Sequence, residues 1–101
     1  MARKSVVERN EKRKKTIKMY KDVRTSLIRS IKDKSTSPEE RFNFMLKINK
    51  LPRDSSYTRL KMRCAITGRP KGVYRKLGIC RHKIRDLVAL GNISGMRLSS
   101  W

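Results

Sequence analysis

The chain has 101 residues, enough for one small domain at most, and its 28 Lys and Arg against 8 Asp and Glu give a net charge of +20. A compact domain of that charge repels itself, so the composition calls for a polyanionic partner, of which nucleic acid is the commonest. It excludes a membrane span, because the longest apolar runs are three or four residues, and a disulfide scaffold, because Cys64 and Cys80 are the only cysteines.

The start, Met1-Ala2-Arg3-Lys4-Ser5, has no apolar segment of the secretory kind, and the following residues carry Glu8 and Glu11, which transit peptides avoid. Residues 3–33 contain neither Pro nor Gly and predict one long helix. Ile17, Tyr20, Val23, Leu27 and Ile31 fall on one narrow stripe of it, which predicts packing on the next helix. Residues 34–37 are a polar break. Ser37-Pro38-Glu39-Glu40 then reads as a helix start: Ser37 caps, Pro38 suits the first helical position, and Glu40 closes a capping box. Pro52 disfavours helix at Leu51, so this second helix is expected to end near Lys50 and to form a hairpin with the first. Its Phe42, Met45 and Leu46 share one face while Phe44 and Ile48 point elsewhere, which suggests contacts with more than one neighbour.

Leu51 to Ser56 is a loop by composition, and Tyr57 to Arg63 is expected to be helical. Thr67-Gly68-Arg69-Pro70-Lys71-Gly72 is turn chemistry, and Val73 to Ile79 is short and open to either reading. A last helix is expected from about Arg81 to Leu90, with Ile84, Leu87 and Val88 on its apolar face and Gly91 as its C-cap. The fold class is therefore mainly α: residues 1–50 an extended helical hairpin arm, residues 51–101 a small irregular module with a short helix, ordered on its partner and partly disordered without it.

The functional signal lies in that module. Between Ser55 and Arg85 there are ten Lys or Arg and no acid. Arg59, Arg63, Arg69, Arg75, Arg81 and Arg85 supply planar forks for phosphate and for stacking on bases, and Lys61, Lys71, Lys76 and Lys83 supply point charges. Gly68 and Gly72 let backbone amides approach phosphate. Arg97 with Trp101 in the tail extends the expected RNA-contacting set. A solvated face is the ordinary meaning of a charge run, but this one has no interspersed acid. An enzyme is not indicated: there is one His, the sole acid after Ser55 is Asp86, and no phosphate-loop or dinucleotide glycine pattern occurs. A DNA-compacting protein is the nearer rival, but no dimerisation core or Lys-rich tail supports it. A membrane-active helix lacks the aromatic face it needs, Tyr20 being the only aromatic of residues 16–32.

Arg63-Cys64-x-x-Thr67-Gly68-Arg69-Pro70-Lys71-Gly72-Val73-Tyr74-Arg75-Lys76-Leu77-Gly78-Ile79 resembles the signature of the S-fourteen family of small-subunit ribosomal proteins. So do Cys80-Arg81-x-x-x-Arg85, Gly91-x-Ile93-x-Gly95, the terminal Ser99-Ser100-Trp101 and the linker Leu51 to Ser56, while Ala2-Arg3-Lys4-Ser5 resembles the start of its long forms. The resemblance implies a structural constituent of the ribosome that binds the 3′ major domain, the head, of small-subunit ribosomal RNA, with Arg53 of the linker joining the residues that meet it. It implies neighbours S-three, S-ten and S-nineteen, and neither DNA nor membrane as partner. Short members of the family bind zinc through two CxxC pairs, but here these read Cys64-Ala65-Ile66-Thr67 and Cys80-Arg81-His82-Lys83. Two of four ligands are absent, so no metal and no cofactor is expected. The N-terminal arm and RNA contacts are expected to offset that loss, and the cysteines to pack as small hydrophobes. His82 and Asp86 are expected to pair. Ser37 to Ser56 is most similar to the alphaproteobacterial and mitochondrial branch, so the expected location is a ribosome in the bacterial cytoplasm or the mitochondrial matrix. The matched N-terminus predicts no cleaved transit peptide, hence organelle encoding in the second case.

Overall fold

The structure is a computed structural model that describes residues 2–100. Among them are three α-helices: α1 (Lys4–Lys32), α2 (Pro38–Lys50) and α3 (Arg81–Ala89). Two single 3-10 turns (Arg53–Ser55, Tyr57–Arg59) and one antiparallel pair of two-residue strands, β1 (Val73–Tyr74) and β2 (Ile79–Cys80), complete the elements. The protein is mainly helical with a small C-terminal module carrying its own helix, as the sequence predicts. The chain divides into two compact units: Glu8–Leu60 is one, and the residues on either side of that span make the other.

In the helical unit, α1 turns its half-buried face through Arg13, Ile17, Tyr20, Arg24, Leu27 and Ile31, with Asn10 fully buried. The stripe expected from the sequence contained Val23, but Val23 is 48% exposed and Arg24 takes the inner position. The reason is polar: an Arg24 Nη donates to Ser55 Oγ at 3.1 Å, so a cation is anchored where an apolar side chain would otherwise lie. Ser55, 2% exposed, also donates to the Pro52 carbonyl oxygen.

The turn between α1 and α2 is held locally. Asp33 Oδ1 accepts the Ser35 N–H at 3.1 Å, and the Ser35 backbone and side chain together hold the Asp33 carboxyl below its ordinary range. The capping box forms as its spacing predicts, Glu40 N–H to Ser37 Oγ at 3.3 Å and Ser37 N–H to Glu40 Oε2 at 3.4 Å. On α2 the inner residues are Arg41, Phe44 and Ile48, whereas Phe42, Met45 and Leu46 are exposed, Phe42 by 61%. Both apolar faces exist, and only one is covered within the chain.

The expected helix from Tyr57 to Arg63 reduces to one 3-10 turn ending at Arg59, because the backbone turns extended at its cap Leu60, φ −74° and ψ 126°. α3 closes in a Schellman arrangement: Gly91 at φ +73° lets its N–H reach the Val88 carbonyl at 3.0 Å and the Asn92 N–H reach Leu87 at 2.9 Å.

A thiol-centred module with an acid-poor cationic surface

Among the described residues the second unit has a very small core, with Cys64, Cys80 and Ile84 buried at 3%, 2% and 6% exposure. Cys64 sits at the start of a tight turn in which the Gly68 N–H donates to the Cys64 carbonyl and the Cys64 N–H to the Arg69 carbonyl, both at 2.9 Å. Gly68 is buried with φ +71°, and a Cβ there would stand 2.8 Å from Val7 Cγ2 and 3.2 Å from Ala2 Cβ. The Ala2 N–H donates to the Thr67 carbonyl at 3.2 Å. The first residues of the chain thus close over this turn, and glycine is required by both dihedral and space.

Cys80 joins three pieces at once. It pairs with Val73 across the strands, it is the N-cap residue of α3, and its N–H donates to Cys64 Sγ at 3.2 Å. As a cap it gives no side-chain hydrogen bond, consistent with the poor capping chemistry of a thiol. The Thr67 N–H also meets Cys64 Sγ, at 3.5 Å, and the Thr67 hydroxyl lies 3.6 Å from Cys80 Sγ. Burial pushes the Cys64 thiol up. Hydrogen bonds from the Thr67 side chain and from the backbone of Thr67, Cys80 and Ile66 outweigh that effect and bring it down to about 6.

These residues do not make a tetrahedral metal site. Where two further thiol ligands would be needed the chain has Thr67, whose hydroxyl lies 3.6 Å from Cys80 Sγ, and Lys83, whose Nζ pairs with Asp86 Oδ2 at 3.7 Å. Among the described residues no three Cys, His, Asp or Glu side chains come together as a metal would need. The pairing expected between His82 and Asp86 is replaced by that Lys83 contact, since Lys83 reaches Asp86 across one turn of α3.

The cations expected to meet RNA fall into two groups. Arg69, Lys71, Arg75, Lys76, Arg81 and Arg97 are exposed on the second unit, and Arg53 is exposed on the helical unit. The others have partners within the chain. Arg63 Nη donates to the Gly68 carbonyl at 3.0 Å and its Nε is buried without a partner, so its side chain braces the turn. Arg59 shares Asp54 with Arg13, each Nε at 3.4 Å from the same carboxylate oxygen. Arg85 holds the C-terminal tail through Ser100, donating to its carbonyl at 3.2 Å. Lys83 is engaged with Asp86, and Lys61 is exposed and has a partner of its own. Trp101 lies outside the described residues. Sequence reasoning missed the bracing roles of Arg63 and Arg85 and the anchoring role of Arg24, because a hydrogen bond to a distant backbone carbonyl or hydroxyl leaves no periodic trace.

A helical unit with mixed charge and a cationic module folded on two thiols and glycine turns make this a small basic protein with a surface suited to nucleic acid. The family model described as Ribosomal protein S14p/S29e matches residues 47–100. A protein named small ribosomal subunit protein uS14 from Orientia tsutsugamushi (strain Ikeda) is 52% identical over 101 residues, covering 100% of both chains. Those of Wolbachia pipientis wMel and Anaplasma phagocytophilum (strain HZ) are 51% and 50% identical, also with full coverage of both. The chain belongs to the ribosomal protein S14p/S29e family, and is a structural constituent of the ribosome that serves translation. The relatives named are ribosomal structural proteins from bacteria, so the mitochondrial alternative draws no support from them.

Proposed function

We propose that the chain is a protein of the small ribosomal subunit and binds the 3′ major domain of small-subunit ribosomal RNA, the head, stabilising its folded form during assembly. The observation that carries this reading is the surface of the second unit. There Arg69, Lys71, Arg75, Lys76, Arg81 and Arg97 are exposed, and the single acid, Asp86, already has Lys83. Uncompensated cations of this density suit a phosphate partner, and guanidinium forks match phosphate bidentately. Residues 51–101 form the RNA-binding module in this reading. Arg53 and Arg59 contribute from the helical unit, Lys61, Lys83 and Arg85 add charge, Arg63 supports the turn that presents Arg69, and Trp101 follows the tail. The exposed Phe42, Met45 and Leu46 face of α2 suits a protein neighbour, for which S-three, S-ten and S-nineteen are the candidates. Neither DNA nor membrane is a partner; no helix among the described residues is long and apolar enough to cross a bilayer. The compartment is one holding a bacterial-type ribosome, the bacterial cytoplasm as in the relatives above, with the mitochondrial matrix as the alternative.

The test compares binding of the full chain to a transcript of the head domain and to a body fragment of equal length. Tighter binding to the head transcript is expected. Equal affinities would reduce the interaction to polyanion binding and overturn the reading. The double variant R69A/R75A should lower the salt slope of head binding by about 2 without changing the helicity of α1 and α2. An unchanged slope would remove these residues from the interface.

A further inference from the structure

The second unit contains a cavity of about 440 Å³ between α3 and the C-terminal tail, within the ~300–1,000 Å³ usual for small-ligand sites. Its wall is apolar at Ile84, Val88 and Met96, aromatic at Tyr74, and cationic at Arg81 and Arg97; no acid lines it. It is built from both sides. On one, the Tyr74–Ile79 and Val73–Cys80 strand pairs and the Arg81 N–H to Gly72 carbonyl bond, 2.8 Å, fix Tyr74 relative to the start of α3. On the other, Arg85 donates to the Ser100 carbonyl at 3.2 Å and holds the tail against the helix. The Tyr74 side chain is nevertheless 60% exposed.

An apolar recess with one presented aromatic ring and a rim of guanidinium groups is chemically complementary to a flat, weakly polar ring carried on a phosphodiester. A protein side chain would fill the recess without using the rim, and an acidic peptide would use the rim without needing the ring. We infer that this cavity receives a single unstacked nucleobase of the bound RNA, stacked on Tyr74 over the Ile84, Val88 and Met96 floor, with its flanking phosphates on Arg81 and Arg97. The inference rests on the RNA-binding reading above and adds a base contact to it. It separates the cationic surface into a part that reads only backbone and one place that takes a base.

The test titrates the full chain with two probes of equal length and charge, a single-stranded RNA decamer and the same decamer with abasic residues throughout. The base-bearing strand is expected to bind roughly 5- to 150-fold more tightly, the range for one stacked base. Tyr74→Ala should abolish that preference while leaving the abasic affinity unchanged, and Tyr74→Phe should restore it. Equal affinity of the wild-type chain for both strands would overturn the base site and leave the RNA-binding reading standing as backbone contact. Failure to bind either strand would overturn both. A preference that survives Tyr74→Ala would place the stacking elsewhere and leave the cavity to a protein neighbour. Equal loss on both strands would show that Tyr74 serves the fold and no base.

Discussion

The helical unit, residues 8–60, holds 16 basic and 7 acidic side chains, a balance of +9; the remainder holds 12 and 1, a balance of +11. Similar net charge is thus built in two ways. In the helical unit acids pair with cations, as Glu11 does with Lys14 at 2.6 Å and Asp54 with both Arg13 and Arg59, and the half-buried Arg24 donates to the buried hydroxyl of Ser55. In the other unit Arg63 and Arg85 are held by backbone carbonyls and Lys83 by Asp86, while Arg69, Lys71, Arg75, Lys76, Arg81 and Arg97 stand in solvent. The first arrangement compensates part of its charge within the chain. The second lacks its counter-charge, and its core of two thiols and Ile84 is too small to hold much self-repulsion on its own. The difference teaches which half of the molecule has more to gain from a polyanion.

The strongest way to break that contrast is salt. If six to ten phosphates are neutralised, RNA affinity should fall ~10³–10⁵-fold between 50 and 200 mM salt, measured by filter binding. A flat salt response would mean that the exposed cations of the second unit are ordinary solvated charge. Next in size is Gly68→Ala. A side chain at φ +71° pressed against Val7 and Ala2 should cost the second unit about 2–5 kcal/mol. Residue-resolved hydrogen exchange on the RNA-bound chain should show lost protection at Cys64, Ala65 and Gly68, with the middle of α1 unchanged. Equal loss in both units would contradict their independence.

A third effect is fixed in sign by Cys64. Its folded-state value of about 6 lies below the ordinary 9.0, so the folded unit binds fewer protons than the unfolded chain between those values. The stability of the second unit should therefore rise as pH climbs from about 6 toward 9, and be lost as pH falls through 6. Thermal midpoints across that window should show the slope in the native chain, and Cys64→Ala should flatten it. The smallest effect belongs to the helical unit. Ser37→Ala removes the cap of α2 and should cost about 1 kcal/mol, seen as earlier exchange of the first amides of α2, with RNA affinity unchanged.

The helical half was largely legible. α1 and α2 end within a residue of where Pro, Gly and the Ser37-Pro38-Glu39-Glu40 pattern place their limits, because caps and breakers act locally. The same holds for α3 and Gly91. The strand pair was not legible, since two-residue strands carry no period and are held by Cys80 and the Gly72–Arg81 bond. Nor does any local feature announce that Ala2 and Val7 cover Gly68, a contact more than sixty residues distant in sequence. The expected site shows the same split. Charge density marks the cationic segment, but which arginines face solvent and which brace the fold depends on the carbonyls of Gly68 and Ser100, positions that composition does not weigh.

The measurement that bears most directly on the central claim is sedimentation of a native lysate on a sucrose gradient, following this chain after treatment with RNase, with DNase, or with neither. Co-migration with the small ribosomal subunit, abolished by RNase and untouched by DNase, is the predicted result. A chain that stays at the top of the untreated gradient, or is released by DNase alone, would contradict it.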